Sequence, residues 1–385
     1  MATTQISQGS KDSGVGTPRR NAKPVAPTGL KKEISIPGFT KRIKLKELAV
    51  MSRQMATMIG AGLSLLRALN ILAAQTESKP LARILGQIRD EVEAGVSTSD
   101  AFAKYSEVFP PLMISMIRAG EAGGFLEGSL DSIAVNFEKE VRLRGKIKSA
   151  LTYPVIVLIM SLVSVVAMLI FIVPVFQRMF TSLGGTLPLP TMMLVYASHA
   201  MVWVGPLMVV FSIVFSIWWR RNKNTVRVRK VIDPIKLKLP VFGLLMRKIA
   251  VARFSRNFSD MIGAGVPILK ALQIVGETSG NWVIEEALRK VAESVRQGHS
   301  LSVPLAHQPV FPPMVTQMIA VGEDAGSLEV MLDKIADFYD QEVEAATEQL
   351  TAMIEPLMVA FLGVVIGGMV VALYLPIFNI STLIK

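Results

Sequence analysis

Three long apolar stretches dominate the pattern of hydrophobic and polar positions along the chain. They cover residues 149–177, 179–219 and 356–384, and none of them contains an Asp, Glu, Lys or Arg. A bilayer core of about 30 Å needs about 20 helical residues, so each stretch is long enough to span a membrane. The second stretch begins with glycines and prolines at 181–190, which favour a loop. We therefore predict transmembrane helices at 149–177, 196–219 and 351–378.

The sequence outside these stretches has the periodicity of helices. Apolar residues recur at spacings of three and four, as in Leu65, Leu69 and Leu72, whereas the period-two alternation of strands is scarce. We predict an all-α polytopic membrane protein with two helical-bundle domains of about six helices each. The first domain covers 45–148, and the second follows a basic linker within 220–350. The last helix of each domain is expected to continue toward a membrane span.

The two domains are copies of one another, displaced by 202 or 203 residues. The sequence Met-Ile-Gly-Ala-Gly occurs at 58–62 and at 261–265, and Gly-Glu occurs at 120–121 and at 322–323. Each copy is followed by a membrane span, whereas the span at 196–219 has no counterpart. Because one extra span returns the chain to its starting side, both domains are predicted to face the same side of the membrane.

Glycine and proline mark corresponding points of the two copies. We predict that the glycines of Gly-Ala-Gly allow a close helix crossing or a left-handed helix end. In each copy the span lies between two prolines 20 residues apart, which is about 30 Å along a helix. The first proline of each pair is expected to bend the helix where it enters the membrane. These structural residues are Gly60, Gly62, Gly263, Gly265, Pro154, Pro174, Pro356 and Pro376.

The net charge of +11 is concentrated in two segments. Residues 1–44 hold nine Lys or Arg against two acidic residues, and residues 220–250 hold ten against one. The second segment directly follows the span at 196–219, a pattern typical of membrane topology rather than of a nucleic-acid surface. Nucleic acid is therefore not an expected partner.

The same charge pattern predicts the orientation of the chain. Lys and Arg accumulate on the cytoplasmic side of membrane proteins, so the N-terminus and both domains are predicted to be cytoplasmic. An outer loop at 178–195 and an outer tail at 379–385 follow from this orientation. Residues 1–44 lack the apolar segment of a signal peptide, and they are predicted to be a disordered basic tail.

No catalytic, cofactor-binding or metal-binding site is predicted. The chain lacks a phosphate-binding loop, the GxSxG and HExxH motifs and all cysteines, and its three histidines have no clustered partners. A non-enzymatic protein is therefore expected. A polytopic membrane transporter is the alternative, although the three apolar stretches lack the charged residues that transporters commonly use.

Four charged residues at corresponding positions of the two copies are candidate partner contacts. Arg53 and Arg256 lie in mid-helix, and Glu121 and Glu323 belong to the Gly-Glu pairs. The arginines either pair with acidic residues of their own domain or face a partner. The glutamates either cap a helix or form a salt bridge inside the bundle, or they contact a partner or a cation. The sequence leaves both interpretations open.

The duplicated motifs resemble the inner-membrane platform proteins of type II secretion and type IV pilus assembly, the GspF/PilC family. The resemblance covers about residues 45–380 and is specific as a set. Its carriers are Ser52-Arg53-Gln54 before Met-Ile-Gly-Ala-Gly-Leu63, Phe109-Pro110-Pro111, Gly120-Glu121 and Tyr153-Pro154, and in the second copy Phe254-Ser255-Arg256, Gly263-Ala264-Gly265-Val266-Pro267, Phe311-Pro312-Pro313 and Gly322-Glu323.

The resemblance implies a membrane base on which pilins or pseudopilins are assembled. A cytoplasmic secretion or pilus assembly ATPase would supply the energy, and the platform would pass the movement to subunits in the inner membrane. The implied partners are this ATPase, pilins or pseudopilins, other inner-membrane components of the machine, membrane lipids and further copies of the chain in a homo-oligomer. No cofactor is implied.

Overall fold

The part of the chain that the computed structural model describes is helical and contains no strand. It comprises residues 43–182, 187–222, 225–240 and 242–380. The predicted all-α fold is confirmed. The predicted tails at 1–44 and 379–385 lie outside the described residues, apart from two residues of each.

Each copy of the repeat forms six helices within the described residues. The first repeat consists of α1 (Leu45–Gly60), α2 (Leu65–Gln75), α3 (Lys79–Glu93), α4 (Thr98–Ala103), α5 (Pro111–Gly123) and α6 (Leu126–Ala167). A π-helical segment (Met168–Ile172) and α7 (Val173–Ser182) extend α6, and α8 (Leu189–Asn222) and α9 (Val226–Lys238) connect the two repeats. The second repeat consists of α10 (Phe242–Gly263), α11 (Ile268–Thr278), α12 (Trp282–Arg296), α13 (Ser302–Ala306), α14 (Pro313–Asp324) and α15 (Leu328–Ile380).

The two repeats pack their helices in the same way. The first helix of each repeat lies along the last, α1 on α6 and α10 on α15, and α2 pairs with α3 as α11 pairs with α12. Buried aromatic side chains fill both bundles, namely Phe102 and Phe109 in the first and Phe254, Phe258 and Phe311 in the second. Burial of one such side chain contributes about 1.5–3 kcal/mol. The two cores join into one continuous apolar cluster.

The Gly-Ala-Gly sequences end α1 and α10. Gly62 and Gly265 have φ angles of 84° and 67°, in the left-handed region that favours glycine. Gly60 and Gly263 face the glutamate in the first turn of α6 and of α15. An added Cβ would lie 3.3 Å from the carboxyl oxygen in the first repeat and 2.8 Å from the carboxyl carbon in the second. Gly62 and Gly265 thus form left-handed helix ends, and Gly60 and Gly263 lie close to a glutamate side chain.

The helices α6 and α15 run from the repeats into the apolar stretches without a break. They contain 42 and 53 residues, and Pro154 and Pro356 lie inside them. A bend at these prolines stays a prediction. Three helical segments are long and apolar enough to cross a membrane, within Leu126–Ser182, Leu189–Trp219 and Leu328–Pro376. The three predicted spans therefore coincide with continuous helices.

The loop between the first two spans is shorter than predicted. Residues 178–182 belong to α7, and α8 begins at Leu189, so helix occupies most of the predicted loop 178–195. The prediction was wrong because Pro190 lies in the first turn of α8, where a helix has no hydrogen bond for proline to remove. The predicted outer position of this loop stays a prediction.

The basic linker contains a helix that is fixed to the second repeat. α9 packs on α10 and α12, and the buried carboxylate of Asp233 accepts a hydrogen bond of 3.0 Å from the N–H of Trp282 at the start of α12. The turn between α9 and α10 is tight, since a Cβ on Gly243 would lie 2.8 Å from the carbonyl carbon of Leu237. The linker is therefore a structured part of the second repeat.

Candidate functional site

Arg53 of α1 is held between two carboxylates of α6. Its Nε and Nη2 donate to the two oxygens of Glu138 at 2.7 and 2.9 Å, and its Nη1 donates to Asp131 at 2.6 Å. This forked geometry suits the planar guanidinium group. The side chain of Arg53 remains 35% exposed. These three residues, here called the Arg53 cluster, therefore lie at the surface.

Arg256 of α10 occupies the corresponding position of the second repeat. Its Nη2 lies 2.7 Å from Asp340 and 3.1 Å from Asp337, and its Nη1 lies 3.6 Å from Asp333. Two of these aspartates correspond to the carboxylates of the Arg53 cluster, and Asp337 is an addition. The side chain of Arg256 is only 8% exposed. In these four residues, here called the Arg256 cluster, the arginine is therefore largely removed from water, whereas the three aspartates are 32–49% exposed.

The difference in exposure arises because α6 of the first repeat packs against α10 of the second. Asn136 donates to Asn257 at 3.1 Å and to Asp260, and Arg253 donates to Glu140 at 2.7 Å. We call this contact the repeat interface. On the first repeat, α1 packs on α6 and α2 and leaves the corresponding face open.

The repeat interface contains a carboxyl group with a perturbed pKa. Burial raises the pKa of Asp260 to about 6, against the opposing effects of the hydrogen bond from Asn136 and of the positive charges of Arg256 and Lys139. The corresponding position of the first repeat is Thr57. Titration at slightly acidic pH is therefore a property that distinguishes the second repeat from the first.

The glycine of each Gly-Glu pair allows two helices to touch. A Cβ on Gly120 would lie 2.8 Å from the Cβ of Ser129 on α6. In the second repeat a Cβ on Gly322 would lie 2.9 Å from the Cγ of Met331 on α15. Real Cβ atoms do not approach so closely, so glycine is required where α5 and α14 meet the last helix of each repeat.

The glutamate of each pair binds the backbone at the start of a short helix. Glu121 accepts hydrogen bonds from the N–H groups of Thr98 and Ser99 at 2.6 and 3.1 Å, and Glu323 binds the corresponding N–H groups at the start of α13 at the same distances. Burial raises the pKa of Glu121, but the backbone hydrogen bonds from Ser99 and Thr98 outweigh it and lower this pKa overall. A carboxylate is thus well suited to these helix starts.

All four candidate partner contacts therefore make contacts within their own repeat. Arg53 is more exposed than Arg256, and whether any of the four binds a partner stays a prediction. In the described parts of the chain, no group of three or more His, Cys, Asp or Glu side chains is placed to hold a metal ion.

Two hydroxyl groups of α8 bind backbone carbonyls of the other two spans. Ser198 donates to the carbonyl of Leu169 at 2.6 Å, and Thr191 donates to the carbonyl of Ala372. These carbonyls lie five residues before Pro174 and four residues before Pro376. A proline has no N–H with which to bind them in the π-helical or α-helical pattern. The unmatched span therefore satisfies one proline-freed carbonyl in each of the repeated spans.

Sequence reasoning missed the repeat interface and the two hydroxyls of α8. Asn136 and Asp260 lie on helix faces whose partner the periodicity does not identify. Thr191 and Ser198 gave a usable signal, because they are seven residues apart and therefore share one face of an otherwise apolar helix. Both side chains are 1% exposed.

The duplicated domain with its span also decides the family. The family model described as "Type II secretion system (T2SS), protein F" matches residues 51–174 and again 254–376. The chain belongs to this protein F family. The two matches coincide with the two repeats and the spans that follow them, so the predicted family and the predicted duplication are both confirmed.

Curated relatives of this protein F family member carry two kinds of name. The chain is 45% identical over 353 residues to the type IV pilus assembly protein PilC of Thermus thermophilus, which covers 91% of this chain and 87% of that protein. It is 42% identical over 355 residues to the PilC of Myxococcus xanthus, covering 92% and 84%. It is 31% identical over 347 residues to the type II secretion system protein F of Aeromonas hydrophila, covering 90% and 89%. The chain is thus a membrane protein from a family of secretion and pilus machine components.

Proposed function

We propose that this protein is the non-enzymatic inner-membrane platform of a type IV pilus assembly machine. It receives movement from a cytoplasmic assembly ATPase and passes it to pilin subunits in the membrane. The observation that carries the proposal is the duplicated helical domain, of which each copy is continuous with a membrane span. The chain is also similar to pilus assembly proteins over nearly its whole length. The relative named for type II secretion is less similar, so a secretion platform for pseudopilins is the second candidate.

The contact between α6 and α15 supports a mechanical role. Just before the apolar stretches, Leu143 of α6 and Val343 and Leu350 of α15 share a buried apolar cluster. On the surface of the same contact, Lys146 binds Glu344. Since each helix is continuous from its repeat into its span, a displacement of either bundle moves the corresponding span directly.

The open face of α1 supports a contact with the ATPase. Val50 is 48% exposed there, and Gln54, Thr57 and Arg53 lie beside it without a covering helix in the described residues. We assign the ATPase contact to this face. The platform is further proposed to work as a homo-oligomer, in contact with membrane lipids and with other inner-membrane components of the machine.

Deletion and complementation test the proposal. Deleting the gene is expected to abolish surface pili while pilin remains in the membrane, and wild-type protein restores the pili. Gln54→Arg on the open face is expected to restore membrane levels of the protein but few pili, and to reduce co-purification of the ATPase. The matched control is Gln297→Arg, at an exposed turn of the second repeat.

Each outcome of this experiment has a meaning. Loss of exoprotein secretion with normal pili would refute the proposed role in pilus assembly and favour the second candidate, a type II secretion platform. Normal pili and normal secretion after deletion would refute the platform. Equal behaviour of Gln54→Arg and Gln297→Arg would refute the contact on α1, and a defect in copy-to-copy crosslinking alone would assign this face to a second copy.

The proposed orientation places both repeats in the cytoplasm. The chain has no cysteine, so single cysteines at Ala94 and Gln297, which are corresponding exposed positions, and at Leu189 at the start of α8 give a clean test. In spheroplasts with an intact inner membrane, a membrane-impermeant maleimide is expected to label Leu189→Cys only. Labelling of Ala94→Cys and not of Gln297→Cys, or the reverse, would contradict the shared side.

No observation favours the alternative of a membrane transporter. Residues 149–177, 196–219 and 356–378 contain no Asp, Glu, Lys or Arg, and Glu355 at the start of the third predicted span is its one charged residue. Solute flux through reconstituted vesicles in the absence of an ATPase would be the result that favours it.

A further inference from the structure

The segment between the second span and the second repeat has an exposed apolar face. The side chains on this face are between 44% and 61% exposed, and they belong to none of the buried clusters of the described residues. They are Val231 and Ile235 on α9, Leu239 after it, and Phe242 and Leu244 at the start of α10.

Long cationic side chains flank this apolar face. Arg227, Lys238 and Arg247 are exposed and form no ion pair with any other described residue. Arg227 and Lys238 lie on the same side of α9 as the apolar residues, because they are four residues before Val231 and three residues after Ile235. Asp233 lies on the opposite side of α9, and its carboxylate holds the helix to the second repeat. The three charges that flank this face are therefore positive, and Glu286, which lines a groove with Lys238 and Arg247, pairs with Arg289 of its own helix.

The position of α9 brings this face to the membrane surface. α8 ends at Asn222, and Trp219 in its last turn lines a cavity together with Val228 and Ile232 of α9. Tryptophan at the end of a membrane span lies at the level of the lipid headgroups. Because α9 lines one cavity with this tryptophan and is held by the tight turn at Gly243, we expect its exposed face to lie near that level.

We propose that α9 and the start of α10 form a binding surface for anionic phospholipid of the bilayer that α8 spans. The apolar side chains enter the boundary of the acyl chains, and the three flanking cations reach the phosphate groups. Basic residues next to a span are attracted by anionic lipid, and α9 begins at Val226, four residues after the end of α8 at Asn222. The proposal requires only that α8 is inserted, and it is independent of the function proposed above.

The depth of α9 in a bilayer tests the proposal. A nitroxide is attached to Ile235→Cys in the otherwise cysteine-free full chain, and the protein is reconstituted into nanodiscs of phosphatidylglycerol and phosphatidylcholine. The label is expected to be accessible to oxygen and protected from an aqueous nickel complex. A label at Gln297→Cys is the aqueous control. Size-exclusion profiles and thermal transitions confirm that both labelled proteins are folded.

The charge requirement is tested with lipid selectivity. In the double variant Arg227→Gln/Lys238→Gln, the preference of the protein for spin-labelled phosphatidylglycerol over phosphatidylcholine is expected to fall by about fivefold for each lost cation. Substitution of the exposed Arg289, which pairs with Glu286 on α12, by Gln is the matched control and is expected to leave the preference unchanged.

Three results would overturn the proposal. The first is a label at Ile235 that is as accessible to nickel as the label at Gln297, which would place α9 in water. The second is a label protected from both oxygen and nickel, which would mean that protein, such as a second copy of the chain, covers the face. An unchanged lipid preference in the double variant would remove anionic lipid as the ligand.

Discussion

The two repeats place the same arginine in opposite surroundings. In each repeat an arginine of the first helix binds carboxylates of the last helix, yet the side chain of Arg53 is 35% exposed and that of Arg256 is 8% exposed. The shared ion pairs hold the first and last helices together, which both copies need. The difference comes from a neighbouring element, because α6 covers α10 and nothing in the described residues covers α1 in the same way. Duplication thus preserved the cluster while tertiary packing changed its energetics.

Removal of the buried arginine is expected to have the largest effect. Arg256→Ala leaves three partly exposed aspartates without their largely buried cation, at a cost of about 3 kcal/mol, the low end for breaking a buried ion pair. Arg53→Ala removes a partly exposed cluster and is expected to cost about 1 kcal/mol. Thermal unfolding of the detergent-solubilised chain measures both. Equal shifts of Tm would show that the two clusters are energetically equivalent despite their burial.

Substitution of the glycine of each Gly-Glu pair is expected to have an intermediate effect on stability and to differ between the two repeats. Gly120→Ala forces its Cβ against Ser129, whose short side chain has little freedom to move, and is expected to cost about 1–3 kcal/mol. Gly322→Ala meets Met331, a flexible side chain that can adjust, so a smaller loss is expected. Gly128→Ala is the control, since no atom lies within 4 Å of its added Cβ. A larger loss for Gly322→Ala would contradict this explanation.

A change of similar or smaller size is a pH dependence above about pH 4, which is expected from Asp260 of the second repeat. The native pKa of Asp260 is about 6, against 3.8 for a free carboxyl, so the native state holds this proton more tightly than the unfolded state. This contribution to stability is full below about pH 4 and is lost as the pH rises through about 6. Asp260→Asn is therefore expected to raise stability at pH 7.5 by about 1–3 kcal/mol and to leave it unchanged at pH 4.

Thr57→Asn is the control for this prediction, because it introduces the same side chain at the corresponding open position of the first repeat. Melting curves between pH 4 and pH 8 measure both variants. Parallel curves for the wild type and Asp260→Asn would show that this carboxyl does not titrate between the native and unfolded states as described.

The architecture could be predicted from the sequence because it depends on local patterns. Charge-free stretches of sufficient length predict spans, spacings of three and four predict helices, and the offset of about 200 residues reveals the duplication. The left-handed ends at Gly62 and Gly265 were equally accessible, since few other residues adopt that conformation. The loop before α8 was mispredicted because proline is read as a helix breaker even in a first turn.

The site was only partly predictable because burial depends on contacts between distant segments. The sequence identifies Arg53 and Arg256 as corresponding residues, but their exposure depends on how α6 crosses α10. For the Gly-Glu pairs, the glutamate binds the backbone of a helix more than 20 residues earlier, and the glycine meets the helix that follows. Only the folded chain brings these three segments together.

The two hydroxyl bonds of α8 have a consequence for motion inside the lipid. Ser198 and Thr191 each donate a hydrogen bond to a backbone carbonyl. In the hydrocarbon of a bilayer, no water would replace that hydrogen bond if it were lost. The ends of the first and last spans are therefore both hydrogen-bonded to α8, which opposes sliding of either end past this helix. A displacement of one of these two spans is therefore expected to act on the other through α8.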